Sequence, residues 1–208
     1  MSFTLLQNSV DSKDRLSEVL EIATRVIAQH GFDTASVRMI AGEANLSQAG
    51  LYHYFTSKEE VLYLIQKHTF TTLRNAVAAR LDQNASPTDR LGAVIRGHLE
   101  FFVTHMDALR VCAFEYNKLT DEHDDEVGII RKDYFRIVHE VIGDVLRENE
   151  HLQSAAPLNS KRATLYLFGA LNWIHMWFNS ERPVDIDTVA AELTGMILSG
   201  LSHHKTSA

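Results

Sequence analysis

The sequence predicts an all-α chain of about nine helices. Its 208 residues include only three prolines and ten glycines, too few breakers for a turn-rich sheet protein. Apolar residues recur three and four apart over most of the chain, which lines them up on one face of a helix. No stretch shows the alternation of a half-buried strand, and there is no internal repeat or low-complexity tract.

The elements follow in order. Residues 1–11 lack periodicity and are expected to form a loose arm. A helix begins near Lys13, with Leu16, Val19, Leu20, Ala23, Val26 and Ile27 on its inner stripe and Glu18, Glu21 and Arg25 opposite. Gly31 is a natural stop. Ser36 caps a second, shorter helix with Val37, Ile40, Ala41 and Ala44 inward. Asn45, which tolerates left-handed backbone, interrupts it. Ser47 caps a third short helix, expected to run through Phe55. Ser57 and Glu60 form a capping box that opens a long helix with Val61, Leu62, Ile65 and Leu73 on its stripe. Ser86-Pro87-Thr88-Asp89 starts the next helix, which reaches about His105. A short helix covers about 107–118. The acidic patch Asp121 to Glu126, a solvated helix start, leads into a long helix ending near Asn149. A loop with Pro157 follows, then a very apolar helix from about Lys161 to Asn179. Arg182-Pro183 breaks it, and a last helix spans about Asp185–Ser202.

Composition narrows the function. A length of 208 residues allows one or two domains with real cores. No apolar run approaches the ~20 residues of a membrane span, and no cleavable leader precedes the helices. The single cysteine, Cys112, cannot form an internal disulfide. These features point to a soluble cytoplasmic protein. Net charge is −7, so binding to a polyanion has to rest on a few placed cations rather than on bulk basicity.

Within this pattern, residues 36–58 stand apart. Two short helices joined by a tight turn and braced by a longer preceding helix make a helix-turn-helix, whose second helix enters the DNA major groove. Leu51 and Phe55 are four apart and face inward. The consecutive bulky residues Tyr52, His53 and Tyr54 cannot all do so and are expected along the DNA. Ser47 and Gln48 open the recognition helix, with Gln48 a base-edge reader. Ala49 and Gly50 are small enough for close approach. Ser36, Arg38 and Lys58, with the free amides at the start of the second helix, are expected at phosphates. The competing reading is a plain helix-packing corner.

Ser36-Val-Arg-Met-Ile-Ala, Ala44-Asn-Leu-Ser and Leu51-Tyr-His-Tyr-Phe-Thr-Ser-Lys-Glu resemble the DNA-binding signature of the TetR/AcrR family of transcriptional regulators, over about residues 13–65. Asn45 stands where that family usually has glycine, and Gln48-Ala49 where Lys-Gly is frequent. The resemblance implies a helix-turn-helix domain, here 12–57, and a helical effector-binding and dimerisation domain, here 58–203. It also implies a homodimer on double-stranded DNA, commonly as a repressor.

The rest of the chain supports those expectations separately. The apolar last two helices are expected to pair with their copies as a four-helix bundle, through Val189, Leu193, Met196, Ile197 and Leu201. An effector pocket is expected among Phe101, Phe102, His105, Phe114, Tyr116, Tyr134, Trp173, Met176 and Trp177, each of which is equally a plain core candidate. The segment around Asn172, Trp173 and Trp177, over about 165–201, resembles a branch of the family that governs fatty-acid or sterol breakdown and senses acyl-coenzyme A thioesters. That resemblance implies an acyl-coenzyme A or hydrophobic acid effector, with His105, His175 and Arg182 near its polar groups. The alternatives are a repressor responsive to drugs or aromatic compounds and, in another class, a helical enzyme or metal protein with an incidental helix-turn-helix. Eleven histidines invite metal, but no tight ligand spacing completes a site. No phosphate loop or nucleophile elbow supports an enzyme, and no cofactor is expected.

Overall fold

The computed structural model describes residues 2–148, 159–178 and 185–202, without the side chains of 2–14 and 201–202. Ten helical segments form among the described residues. They are α1 (Ser2–His30), α2 (Val37–Glu43), α3 (Gln48–Leu51), α4 (Lys58–Ala78), α5 (Pro87–Thr104), α6 (Met106–Phe114), α7 (Asp121–Glu148), α8 (Ser160–Asn172), α9 (Ile174–Trp177) and α10 (Ile186–Ser202). No strand occurs among the described residues.

Three expectations on helix limits need correction. The loose arm is helical, since α1 begins at Ser2. The third helix is shorter than expected: α3 ends at Leu51, Tyr52 is its C-cap, and turn residues follow to Tyr54. The expected eighth helix also divides, at Trp173, into α8 and the four-residue α9. The loop at 151–158 and the Arg182-Pro183 break lie outside the described residues.

The chain forms two compact units, and they are not its sequential halves. The first takes residues 1–69 and 107–128; the second takes 70–106 and 129–208. Helices α4 and α7 each contribute to both. The first unit is built on the stripe of α1, where Val19, Ala23, Val26 and Ile27 are buried with Ile40, Ala41, Leu51, Phe55, Val61, Leu62 and Ile65. Gly31 ends α1 at φ +76°, with its N–H on the Ile27 carbonyl at 2.8 Å. Glycine adopts this left-handed conformation without the Cβ penalty.

Segment 115–126 joins the first unit through polar contacts as well as apolar ones. The Glu115 carboxylate accepts the Phe32 N–H at 2.8 Å, and the Glu115 carbonyl accepts from Gln66 at 3.0 Å. Lys118 pairs with Asp33 at 2.6 Å, and Thr120 donates its hydroxyl to Glu59 at 2.9 Å. Glu126 takes both Tyr63 and Lys67, so part of the acidic patch is paired rather than merely solvated. The expected capping box is half formed. Ser57 accepts the Glu60 N–H at 3.0 Å, while the Glu60 carboxylate turns to the N–H and hydroxyl of Thr56.

The second unit packs α5, α7, α8 and α10 with the distal part of α4. Leu73, Val77, Leu91, Ile95, Leu99, Phe102, Tyr134, Val138, Ile142, Leu167 and Leu171 are buried there. Arg90 and Asp144 tie α5 to α7 at 2.6 Å.

Lys58 departs most clearly from expectation. Its ammonium donates to the carbonyls of Phe32, Asp33 and Ala35, at 2.7, 3.3 and 3.1 Å, and sits 4.5 Å from the Phe32 ring centroid. An ammonium has three protons, so this geometry takes them all and leaves none for a phosphate. Lys58→Met is therefore expected to lower stability by about 1.5–3 kcal/mol, the range for hydrogen bonds to charged groups. Urea unfolding and the salt dependence of DNA binding check this together. Unchanged stability with a salt slope smaller by about one returns Lys58 to a phosphate.

Candidate nucleic-acid interface and effector core

Helices α2 and α3 are held at a fixed angle by local devices. The Ser36 hydroxyl accepts the Met39 N–H, and the Ser47 hydroxyl accepts the Gly50 N–H at 2.9 Å. Asn45 makes the turn at φ 53°, as a small polar residue can. The Leu46 N–H returns to the Ala41 carbonyl at 2.9 Å. Arg15 of α1 donates to the Ala44 carbonyl at 2.9 Å and pairs with Glu18 at 2.5 Å. Arg15 caps the end of α2, a role that sequence periodicity did not reveal because it places Arg15 simply on a polar face.

This frame sorts the expected DNA residues. Leu51 and Phe55 are buried, at 2% and 3% exposure. Ser36, Arg38, Ser47, Gln48, Ala49, Tyr52 and His53 are exposed. Tyr54 is half-buried and interacts with Arg15, so it belongs to the frame rather than to the outward face. Gly50 has an internal reason as well: a Cβ there would stand 3.3 Å from the Ser47 hydroxyl that caps α3.

The expected pocket residues divide differently. Phe101, Phe102 and Tyr134 are buried in the second unit. Trp173, Met176 and Trp177 of the same unit are exposed, at 59%, 58% and 48%, so they do not line its interior. Phe114 and Tyr116 belong to the first unit and are also exposed. His105 is exposed at the end of α5, where it stacks on Phe101 and bonds its carbonyl at 2.7 Å. His175 bonds the Asn172 carbonyl at 2.7 Å. Arg182 lies outside the described residues. Helical periodicity finds apolar faces but does not say which of two faces meets the interior, which is why the tryptophans were misplaced.

At the centre of the second unit lies a polar pair of which the sequence pattern pointed only to Tyr134. His98 of α5 is 1% exposed and Tyr134 of α7 is 3% exposed. The His98 Nδ1 and the Tyr134 hydroxyl are 2.9 Å apart. Phe102 and Phe168 flank the imidazole, with centroids 4.9 and 6.1 Å away. Burial holds the imidazole pKa down at about 3, with Asn172 acting in the opposite direction, and burial pushes the Tyr134 phenol up. Both groups are neutral at ordinary pH. The described residues contain no group of three or more His, Cys, Asp or Glu placed to hold a metal ion.

A folded-state pKa below that of the unfolded chain gives a defined pH dependence. The stability associated with neutral His98 is fully present above about 6.5, the ordinary value, and is lost as pH falls toward about 3. Urea unfolding is expected to show wild-type stability falling from neutral pH to about pH 5, with a shallower fall in His98→Phe. Identical pH slopes in the two proteins contradict a buried neutral imidazole.

Comparison with known proteins places this geometry. The family model for bacterial regulatory proteins of the tetR family matches residues 19–63. The tetracyclin repressor-like C-terminal domain matches residues 84–201. A fatty acid metabolism regulator protein of Bacillus subtilis is 20% identical over 194 residues, covering 93% of this chain and 98% of its own. The transcriptional activator FasR of Mycolicibacterium smegmatis is 24% identical over 201 residues, covering 94% of this chain and 87% of its own. Among solved structures, AibR in complex with isovaleryl coenzyme A and operator DNA is similar at TM-score 0.76 and 25% identity, over 88% of this chain and 97% of that one. The ketosteroid regulator KstR2 of Mycobacterium tuberculosis is similar at TM-score 0.80 and 20% identity, over 91% and 96%. With both its helix-turn-helix and its C-terminal helices matched, the chain belongs to the tetR family of DNA-binding bacterial regulatory proteins.

Proposed function

We propose that this protein is a homodimeric repressor released from a palindromic operator by an acyl-coenzyme A thioester. The observation that carries the DNA reading is the outward face of α3, where Gln48, Ala49, Tyr52 and His53 are exposed while Leu51 and Phe55 anchor the helix. Gln48 reads a base edge, Ala49 allows close approach, and Tyr52 and His53 lie along the groove wall. Ser36, Arg38 and Ser47 meet phosphates. The first unit positions these groups with caps and buried side chains, so the helix is presented rigidly.

Pairing of two chains is supported by large apolar side chains left bare on one. Leu165 and Tyr166 of α8 are 52% and 62% exposed, and Met196 of α10 is 71% exposed. Val189, Leu193 and Ile197 are half-buried, and the Leu201 side chain lies outside the described residues. Covering such surface with a second copy gives a two-fold assembly and an operator of two half-sites.

The thioester reading is supported by the relatives. AibR is described with isovaleryl coenzyme A and operator DNA, and the Bacillus subtilis relative regulates fatty acid metabolism. Moving a mostly bound population to mostly released requires a preference for the released state of roughly 5.5 kcal/mol.

The test is a mobility-shift titration on the protein's own upstream DNA. Isovaleryl-, octanoyl- and palmitoyl-coenzyme A are compared with the matching free acids and with coenzyme A alone. Specific binding is expected, weakened by about 1–3 kcal/mol in Tyr52→Ala, with release by at least one thioester. Release by free acids at concentrations where every thioester is inert sinks the effector reading. The absence of any specific complex sinks the DNA reading.

A further inference from the structure

We propose that His98 and Tyr134 are the hydrogen-bonding anchor for the carbonyl oxygen of the effector's acyl group. The proposal rests on the thioester reading above and says where in the second unit the polar end of the acyl group is held.

The argument is a count of protons. His98 and Tyr134 face each other from α5 and α7 at 2.9 Å, and both are almost wholly buried. The imidazole is neutral, so the pair owns two polar hydrogens, one on the ring and one on the phenol. Their mutual bond uses one. If Tyr134 donates to Nδ1, the second sits on Nε2. If Nδ1 donates to Tyr134, the second is the phenol O–H, with Nε2 left as an acceptor. In either arrangement one buried donor is left over. The His98 Nε2 is buried and has no hydrogen-bond partner among the described residues. The Asn172 side chain, at the end of α8, opposes the effect of burial as a hydrogen-bonding neighbour of the ring, without reaching hydrogen-bond geometry at Nε2.

Natural proteins rarely leave such a group unsatisfied, and each exception asks for a reason. Here the surroundings say what would satisfy it. Phe102, Phe168 and Tyr134 present ring faces and edges, with Phe168 and Tyr134 5.5 Å apart in an edge-on contact. This is an apolar wall with one donor, and its complement is an apolar chain with one acceptor. An acyl thioester has that form: hydrocarbon on one side of a carbonyl oxygen. The surroundings offer an anion no countercharge, so an uncharged acceptor costs less to bring there.

The experiment compares each of the three thioesters with its S-alkyl-coenzyme A thioether, in which the carbonyl is replaced by a methylene. Ligand potency is read as release of the DNA complex and as binding by calorimetry. In the wild type, the effective thioester is expected to be at least about tenfold more potent than its thioether. Tyr134→Phe and His98→Phe are expected to bind DNA normally and to lose most of that ratio. Should either variant fold poorly, the wild-type ratio still decides. An independent reading comes from ¹⁵N-labelled histidine: the His98 ring nitrogens shift on adding the effective thioester and do not shift with its thioether. Equal potency of thioester and thioether on the wild type, or a ligand that releases DNA without moving the His98 signals, overturns the anchor and leaves the effector class standing. A wild type indifferent to every thioester overturns both.

Discussion

The ammonium of Lys58 holds the chain reversal on which the first unit depends. Residues 31–35 leave α1 through a left-handed glycine and must deliver the chain to the Ser36 cap of α2. Such a reversal exposes carbonyls that no helix or strand satisfies. Lys58 gathers three of them onto one cation, and the Phe32 ring lies beside the same charge. The position of α2 follows, and with it that of α3 through the Asn45 turn and the Ala44 carbonyl held by Arg15. The outward display of Gln48, Tyr52 and His53 is thus set by polar contacts well behind the face that carries them.

The same reversal is gripped from a distant part of the sequence. Glu115 takes the Phe32 N–H, and Lys118 takes Asp33. Thr120 and Glu126 reach Glu59, Tyr63 and Lys67 on the first turns of α4. This explains why the first unit absorbs residues 107–128 rather than ending with the helix-turn-helix. Helices α4 and α7 also carry residues of the second unit. The exposed ion pairs among these are individually weak. Their weight comes from converging on a few residues of backbone, with the buried Glu115 and Gln66 among them.

Much of this was legible in the residues. Caps at Ser36, Ser47 and Ser86, the left-handed Asn45 and the inner stripes of α1 and α4 are local signals, and local signals survive folding. The outward residues of α3 were legible for a related reason: Leu51 and Phe55 fix which side of a short helix is inside. What was not legible required knowing a partner far along the chain. A lysine beside a helix-turn-helix reads as a phosphate contact unless one knows that three carbonyls surround it. Tyr54 reads as outward unless Arg15 is known to meet it. Trp173 and Trp177 read as pocket because they are aromatic, yet both are exposed, and Leu171 and Ile174 take the inward positions beside them. His98 carries no local signal, since its value lies in burial beside Tyr134, a pairing of α5 with α7 that no spacing encodes.

That pair bears on what kind of acid derivative the protein can distinguish. A free carboxylate entering the core of the second unit would carry its charge away from water, at a cost that one neutral hydrogen bond does not offset. A cationic anchor, an arginine or a charged lysine, would reverse this preference and accept the acid. A thioester carbonyl is neutral, accepts one hydrogen bond and leaves no charge behind. With the acyl carbonyl anchored as proposed, a neutral imidazole–phenol pair favours the thioester over the free acid by its lower desolvation cost, before any contact to the coenzyme.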